Sequence, residues 1–169
     1  MKNKKEISDI KKREPSVIKK DELDKIVGNV EITVRRIDTG EVEKVISSDN
    51  LIVTNLRTQL SRLLAGSTLG GTRLIDRLSF GTDGTSETIT DTLITNPVDV
   101  SLSGTEYPTI TSVKFTGTLG SADGNGVTFR EVGLLFQNPA PFLGARLTFP
   151  PMQKSALWSY TVVWTLTFS

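Results

Sequence analysis

The amino-acid sequence predicts a mainly β protein: an antiparallel, jelly-roll-like β-sandwich with one short helix and an extended or partly helical N-terminal arm. The clearest observation is the strict alternation of apolar and polar residues over 158–168, which predicts a strand with one buried face. Further candidate strands follow one another at roughly a dozen residues, separated by Gly or Pro turns, as in antiparallel sandwiches and barrels. The third observation is that residues 1–28 differ in composition from the rest of the chain.

The 169 residues divide into a charged arm, residues 1–28, and a β-sandwich domain, residues 29–169. Up to Val27 the arm carries nine basic and six acidic residues, a net charge of +3 in a chain whose total is +1. Leu23, Ile26 and Val27 form an apolar stripe at helical spacing, and Gly28 is a suitable helix stop. Because so short a helix is not stable alone, we expect the arm to order only against a partner or its own domain.

The first half of the domain contains a hairpin and the only clear helix. Residues 30–46 alternate in polarity around the turn residues Asp38–Gly40, which predicts two paired strands. Residues 54–65 predict a helix that begins at a Thr54 or Asn55 cap and ends before Gly66. We expect it to lie on the sheet or to close one end of it, through the leucines that share one face: Leu56, Leu60, Leu63 and Leu64.

The second half of the domain predicts strands separated by turns. A strand over 74–80 is followed by a Ser-, Thr- and Asp-rich segment, 85–109, which predicts a long loop with one or two short strands. Asp123–Gly126 predicts a turn with two positions suited to positive φ. The remaining predicted strands cover 113–119, 127–136, 142–149 and 158–168, with a turn at 138–141 and a strand break at Pro150–Pro151.

The composition argues against an enzyme. The chain has no Cys and no His, which excludes thiol catalysis and removes the usual general base and the commonest metal ligand. The Gly-rich segment 66–71 follows a helix instead of preceding one, so it does not match a phosphate-binding loop. The turn at Asp123 fails the calcium-loop pattern because its twelfth position is Leu134. We therefore expect no catalytic residues, no cofactor, no metal and no small-molecule substrate.

Acidic residues in the predicted loops show no spacing that marks a catalytic pair; they are Asp76, Glu87, Asp91, Asp99 and Glu106. The lysines of the arm alternate with acids that would repel phosphates, so we expect a protein partner instead of nucleic acid. No apolar run approaches the roughly 20 residues that span a bilayer, and we expect neither a membrane partner nor a secretory signal.

One pair of charged residues is predicted to have a structural role. If residues 137–141 form a hairpin turn, Glu131 lies opposite Arg146 or its neighbour on the adjacent strand. A cross-strand ion pair contributes roughly 0.2–1 kcal/mol. An exposed pair is the simple interpretation; our hypothesis is that the pair is half-buried and determines the register of the two strands.

Several short segments between about residues 50 and 168 carry a family resemblance. They are Asn50–Asn55 (NLIVTN), Leu78–Gly84 (LSFGTDG), Asp91–Leu93 (DTL), Val127–Leu134 (VTFREVGL), Gly144–Phe149 (GARLTF), Lys154 and Trp164–Phe168 (WTLTF). Together they resemble small structural proteins from the virion modules of tailed bacteriophages. The resemblance implies a β-sandwich assembly protein without catalytic residues, located at the tail, baseplate, neck or capsid surface; the arm is not part of the resembling pattern.

We therefore expect a virion protein, assembled in the host cytoplasm, that forms a symmetric homo-oligomer and docks onto another virion protein. The arm would clasp a neighbour, and the segment 84–109 would be a second contact surface. The residues expected to bind the partner are Lys11, Lys12, Arg13, Val17, Ile18, Leu23 and Ile26. The alternative is a carbohydrate- or receptor-binding module of a host-recognition fibre, which would need solvent-facing aromatic residues, and few are expected outside the core.

Overall fold

The computed structural model describes residues 25–66, 74–136 and 142–169. Eight strands and one helix follow the chain in this order: β1 (Ile26–Arg36), β2 (Val42–Ile52), α1 (Thr54–Leu64), β3 (Ile75–Gly81), β4 (Val98–Thr109), β5 (Ser112–Leu119), β6 (Thr128–Phe136), β7 (Phe142–Gln153) and β8 (Trp158–Phe168). The prediction of a mainly antiparallel β protein with one short helix is confirmed.

The eight strands form one closed barrel in the order β1-β2-β7-β6-β3-β4-β5-β8, and β8 pairs with β1 to close it. The predicted sandwich is therefore corrected to a barrel. The narrowest junction is between β2 and β7, where only Leu51–Arg146 and Ile52–Ala145 are paired. Sandwiches and barrels share the same alternation of buried and exposed residues, so the sequence pattern cannot separate them.

The core fills the inside of the barrel with alternate residues of its strands. On β8 the buried residues include Tyr160, Val162 and Trp164, as the alternation predicted. The ring of Phe80 packs against those of Phe129 and Tyr160, with centroid distances of 5.4 Å and 6.3 Å. A second, smaller group of buried residues lies outside this main core and consists of Val53, Ile94, Leu135 and Leu143.

The boundary between the arm and the domain is earlier than predicted. Ile26, Val27 and Gly28 belong to β1, and Ile26 pairs with Phe168 of β8. The predicted helical stripe ending at Gly28 is therefore wrong at these positions, because strand pairing with β8 overrides the local helical spacing. Six of the seven residues that were expected to bind a partner lie outside the described residues: Lys11, Lys12, Arg13, Val17, Ile18 and Leu23.

Two other predicted elements need correction. The segment 85–109, predicted as a long loop with one or two short strands, contains the 12-residue strand β4, which pairs with β3 and β5. The exposed Asp99, Ser101 and Ser103 alternate there with less exposed apolar residues, and this high polarity made the segment resemble a loop. Strand β7 continues through Pro150–Pro151, where the register with β6 shifts between Phe129 and Glu131. A bulge accommodates prolines because some of its residues make no ladder hydrogen bonds. The predicted turn at 138–141 lies outside the described residues.

Helix α1 covers nearly the predicted residues but has a different N-cap. Val53 occupies the N-cap position without a side-chain cap, and Thr54 Oγ1 instead donates a hydrogen bond to the carbonyl oxygen of Ile89. Gly66 follows the helix with φ +64°, as expected of a C-terminal glycine. Leu56 is buried in the core, whereas Leu63 and Leu64 are 46% and 91% exposed. The leucine face therefore covers one end of the barrel only in part.

Candidate functional site

A buried cluster of charged residues lies on the outer face of β6 and β7, beneath the β3–β4 connection, residues 82–97. Arg146 of β7 is its centre and is only 3% exposed. Its Nε donates to Glu131 Oε2 at 2.7 Å, its Nη1 to Asp91 Oδ2 at 2.8 Å and its Nη2 to Asp83 Oδ2 at 3.2 Å. We call these four residues the Arg146 cluster. It joins two strands to two separate points of the connection.

Glu131 also binds the backbone of the connection. Its Oε1 accepts hydrogen bonds from the backbone N–H groups of Asp83, at 3.1 Å, and Thr95, at 2.9 Å. The side chain is fully buried, so these donors and Arg146 replace the water that the carboxylate would otherwise bind. A Cβ at Gly81 would collide with Glu131 Oε1 and would lie 2.7 Å from the Thr95 carbonyl oxygen. The glycine of the LSFGTDG segment therefore makes room for the carboxylate.

Three further contacts hold the connection to the barrel. Glu87 Oε1 accepts hydrogen bonds from the backbone N–H of Thr148 and from its Oγ1, the latter at 2.8 Å. The carbonyl oxygen of Ile89 accepts from the backbone N–H of Thr54 at 2.9 Å. Ile94 packs with Val53 in the smaller buried group. The connection is thus fixed along its length by polar and apolar contacts.

Contacts within the cluster favour the charged forms of Asp83, Asp91 and Arg146. Hydrogen bonds from Thr85, aided by the charge of Arg146, lower the pKa of Asp83. Desolvation acts to raise the pKa of Asp91, but hydrogen bonds from Thr88 and Arg146 outweigh it, and the pKa is lowered. Desolvation likewise opposes the charge of Arg146, while Glu131 and Asp91 raise its pKa. Asp83, Asp91 and Arg146 therefore stay charged near neutral pH.

Every carboxylate oxygen of the cluster accepts at least one hydrogen bond. For example, Asp91 Oδ1 binds Thr88 Oγ1 at 2.6 Å and Asp83 Oδ1 binds the backbone N–H of Thr85 at 2.9 Å. Oxygens engaged in this way are poorly placed to accept a proton from a substrate. Over residues 25–66, 74–136 and 142–169, no group of acidic residues could hold a metal ion. The hydrogen bonds and ion pairs of the cluster therefore hold the β3–β4 connection to strands β6 and β7.

The structure places Glu131 and Arg146 in an ion pair, but not in the predicted position. Arg146 pairs with Gly133 and Glu131 with Thr148, so the two charged residues lie diagonally across the strands. Both side chains are buried, where the sequence predicted a half-buried pair. Their effect on strand register remains a prediction. The participation of Asp83 and Asp91 was missed, because it depends on a long connection folding back over the sheet.

The other acids singled out in the sequence lie elsewhere. Asp76 and Asp99 both pair with Arg77, each at 3.1 Å, and Glu106 pairs with Lys114 at 2.7 Å. These pairs are partly exposed. Glu106 and Lys114 lie directly opposite each other on β4 and β5.

A buried lysine closes the barrel end opposite to α1. Lys154 is 1% exposed, and its Nζ donates to the Ser155 carbonyl oxygen at 2.8 Å and to Asn125 Oδ1 at 3.3 Å. Its Nζ lies 5.9 Å from the centroid of the Tyr160 ring. Desolvation lowers the pKa of Lys154. The lysine thereby ties the turn at Asp123–Gly126, where Gly124 and Gly126 have the predicted positive φ, to the end of β7.

An apolar cavity of about 420 Å³ opens at the α1 end of the barrel. We call it the α1-end cavity. Its lining includes Leu56 and Leu60 of the helix and the following strand residues: Val113, Phe115, Phe136 and Phe168. Around it the surface remains apolar, since Leu74, Tyr107 and Ile110 are 61%, 78% and 104% exposed. This is a place where a further apolar segment could be buried.

In the part of the chain that the structure describes, no helix is long and apolar enough to cross a membrane. Comparison of the chain with protein-family models, with curated proteins and with solved structures found no match.

Proposed function

We propose that this protein is a non-enzymatic structural component of a tailed-bacteriophage virion. It self-associates and docks onto another virion component, in the tail, neck, baseplate or capsid, and its N-terminal arm clasps a neighbour. The arm then supplies contact area by ordering on the partner. Closed rings of identical subunits require such head-to-tail contacts.

One observation carries the proposal. The short segments that resemble phage virion proteins contribute all four residues of the Arg146 cluster: Asp83, Asp91, Glu131 and Arg146. Segments far apart in sequence therefore form one buried ion-pair cluster. A loop held to a closed barrel by such a cluster makes a rigid scaffold. Rigidity of this kind suits a particle subunit, in which each contact surface must keep its shape.

The point at which the arm joins the barrel supports the same proposal. Because β1 begins at Ile26, we assign residues 1–24, and no longer 1–28, to the arm that would clasp a neighbour. The arm joins β1 beside Phe168, whose backbone N–H donates to the carbonyl oxygen of Thr111, the residue after the exposed Ile110. Together the arm and the surface at Ile110 offer two adjacent contact regions.

A truncation tests the proposal. The chain lacking residues 2–24 keeps β1 intact and is expected to remain folded by circular dichroism. The full chain is expected to form a discrete oligomer, measured by light scattering, and to enter particles of the phage that encodes it. The truncated chain is expected to do neither. Normal assembly and incorporation of the truncated chain would show that the arm is not a clasp.

A further inference from the structure

The α1-end cavity exposes apolar side chains that water solvates poorly. Leu56 and Phe136 are buried at its floor, while Leu63 and Phe168, which also line it, are 46% and 36% exposed. Leu64, next to it on α1, is 91% exposed. Burial of apolar area is favourable by about 25 cal/mol per Å². A segment that covers these residues would therefore gain free energy.

The N-terminal arm begins at the rim of this cavity. Ile26 pairs with Phe168, whose side chain lines the cavity. The backbone N–H of Ser169 donates to the carbonyl oxygen of Lys25 at 3.1 Å, and that of Phe168 to the Thr111 carbonyl oxygen at 2.8 Å. The position of Lys25 is thus fixed beside the cavity mouth. The 24 residues before it must leave from this point.

The arm carries a short apolar segment within reach of the cavity. The adjacent Val17 and Ile18 are separated from Leu23 by four charged residues in the sequence VIKKDEL. The chain from Ile18 to Lys25, seven residue-to-residue steps, spans at most about 25 Å when extended. The charged residues between them can stay in water at the rim while the apolar side chains enter. A tethered segment also has an effective concentration in the millimolar range.

We propose that, before assembly, residues 17–23 of the arm occupy the α1-end cavity of their own barrel. The inference goes beyond the proposed clasp, because it concerns the unassembled chain. It assigns the arm a resting position that covers the apolar end of the barrel. A neighbour that binds the arm would then compete with this resting position.

Fluorescence of an apolar dye, anilinonaphthalene sulfonate, tests whether the cavity is covered. We expect weak dye fluorescence with the full-length wild-type chain and fluorescence several-fold stronger with the V17S/I18S variant. The matched control is I7S/I10S, which makes the same kind of change in the same arm outside the proposed segment. Its fluorescence should equal that of the wild type. Equal fluorescence of wild type and V17S/I18S would overturn the proposal.

Disulfide formation tests which chain supplies the segment. Because the chain contains no Cys, the variant I18C/L63C has one possible disulfide within a chain. At low micromolar concentration we expect it to form within single chains, seen by non-reducing electrophoresis and mass spectrometry, and about tenfold faster than in I7C/L63C. A disulfide only between chains would assign the cavity to a second copy and overturn the proposal, as would equal rates or no disulfide.

These outcomes are separable from those of the proposed clasp. If V17S/I18S binds the dye while the chain lacking residues 2–24 still assembles into oligomers and particles, the resting position is supported and the clasp is refuted. If the dye and disulfide results are negative while removal of residues 2–24 blocks assembly, the clasp stands and the resting position fails.

Discussion

Arg146 Nε donates a 2.7 Å hydrogen bond to Glu131 Oε2, and both side chains are almost completely buried although they lie on the outer face of the barrel. The connection between β3 and β4 covers them and adds the carboxylates of Asp83 and Asp91 to the same guanidinium. A buried guanidinium in this position is stable only while its partners remain. The cluster therefore couples the barrel wall to the loop above it.

Loss of the guanidinium should be costly. In R146M, three carboxylates remain close together without their cation, and breaking a buried ion pair typically costs about 3–5 kcal/mol. We expect a decrease of that size in the free energy of unfolding, measured by urea denaturation. The matched control is K114M, which removes the partly exposed pair with Glu106 and should cost less than about 1 kcal/mol. Equal losses in the two variants would contradict the structural role of the cluster.

Acid should loosen the connection. Thr85 and Arg146 lower the pKa of Asp83, and Thr88 and Arg146 lower that of Asp91, both from an ordinary value of 3.8. The folded state thus favours the ionised forms, and the resulting stability is complete above about pH 4 and is lost as the pH falls through the lower folded-state values. Melting temperatures recorded from about pH 2 to pH 6 should show this loss. The melting temperature of the D91N variant should depend less on pH than that of the wild type. An unchanged pH dependence would contradict a contribution of Asp91 to the acid sensitivity.

Gly81 should not tolerate a side chain. An added Cβ would collide with Glu131 Oε1 and lie 2.7 Å from the Thr95 carbonyl oxygen. We expect G81A to lower the free energy of unfolding by about 1–3 kcal/mol, since overpacking forces the backbone to shift. At Gly104 the nearest atom to such a Cβ, on Thr116, is 3.9 Å away, so G104A is the control and should be nearly neutral. If both variants unfold at the same urea concentration, the close packing of Gly81 against Glu131 does not contribute to stability.

The buried ammonium of Lys154 should oppose folding at neutral pH. Desolvation lowers its pKa from 10.5, so the folded state disfavours the charged form. The wild-type chain should gain stability as the pH rises from the folded-state pKa towards 10.5. K154M should lack this gain, and because apolar replacement of buried charges is often neutral or stabilising, it should be at least as stable at pH 7. Lower stability of K154M than of the wild type at pH 7 would contradict this expectation and assign the lysine an anchoring role.

Much of the local structure followed from the sequence. The alternation over Trp158–Phe168 correctly predicted β8, and the leucines before Gly66 correctly predicted α1. These predictions succeeded because period and turn chemistry are properties of neighbouring residues. The prediction for residues 85–109 failed in part because β4 has a polar outer face and takes its stability from β3 and β5.

The sequence by itself determined a mainly β domain, the position of its helix, most of its strands, and the association of Glu131 with Arg146. Only the tertiary structure decided that the sheet closes into a barrel, because closure depends on pairing β8 with β1 across the whole chain. It also decided that Asp83 and Asp91 join Arg146 and that the arm leaves beside the α1-end cavity. Contacts between residues distant in sequence carry no local periodicity, so they become visible only when the fold brings them together.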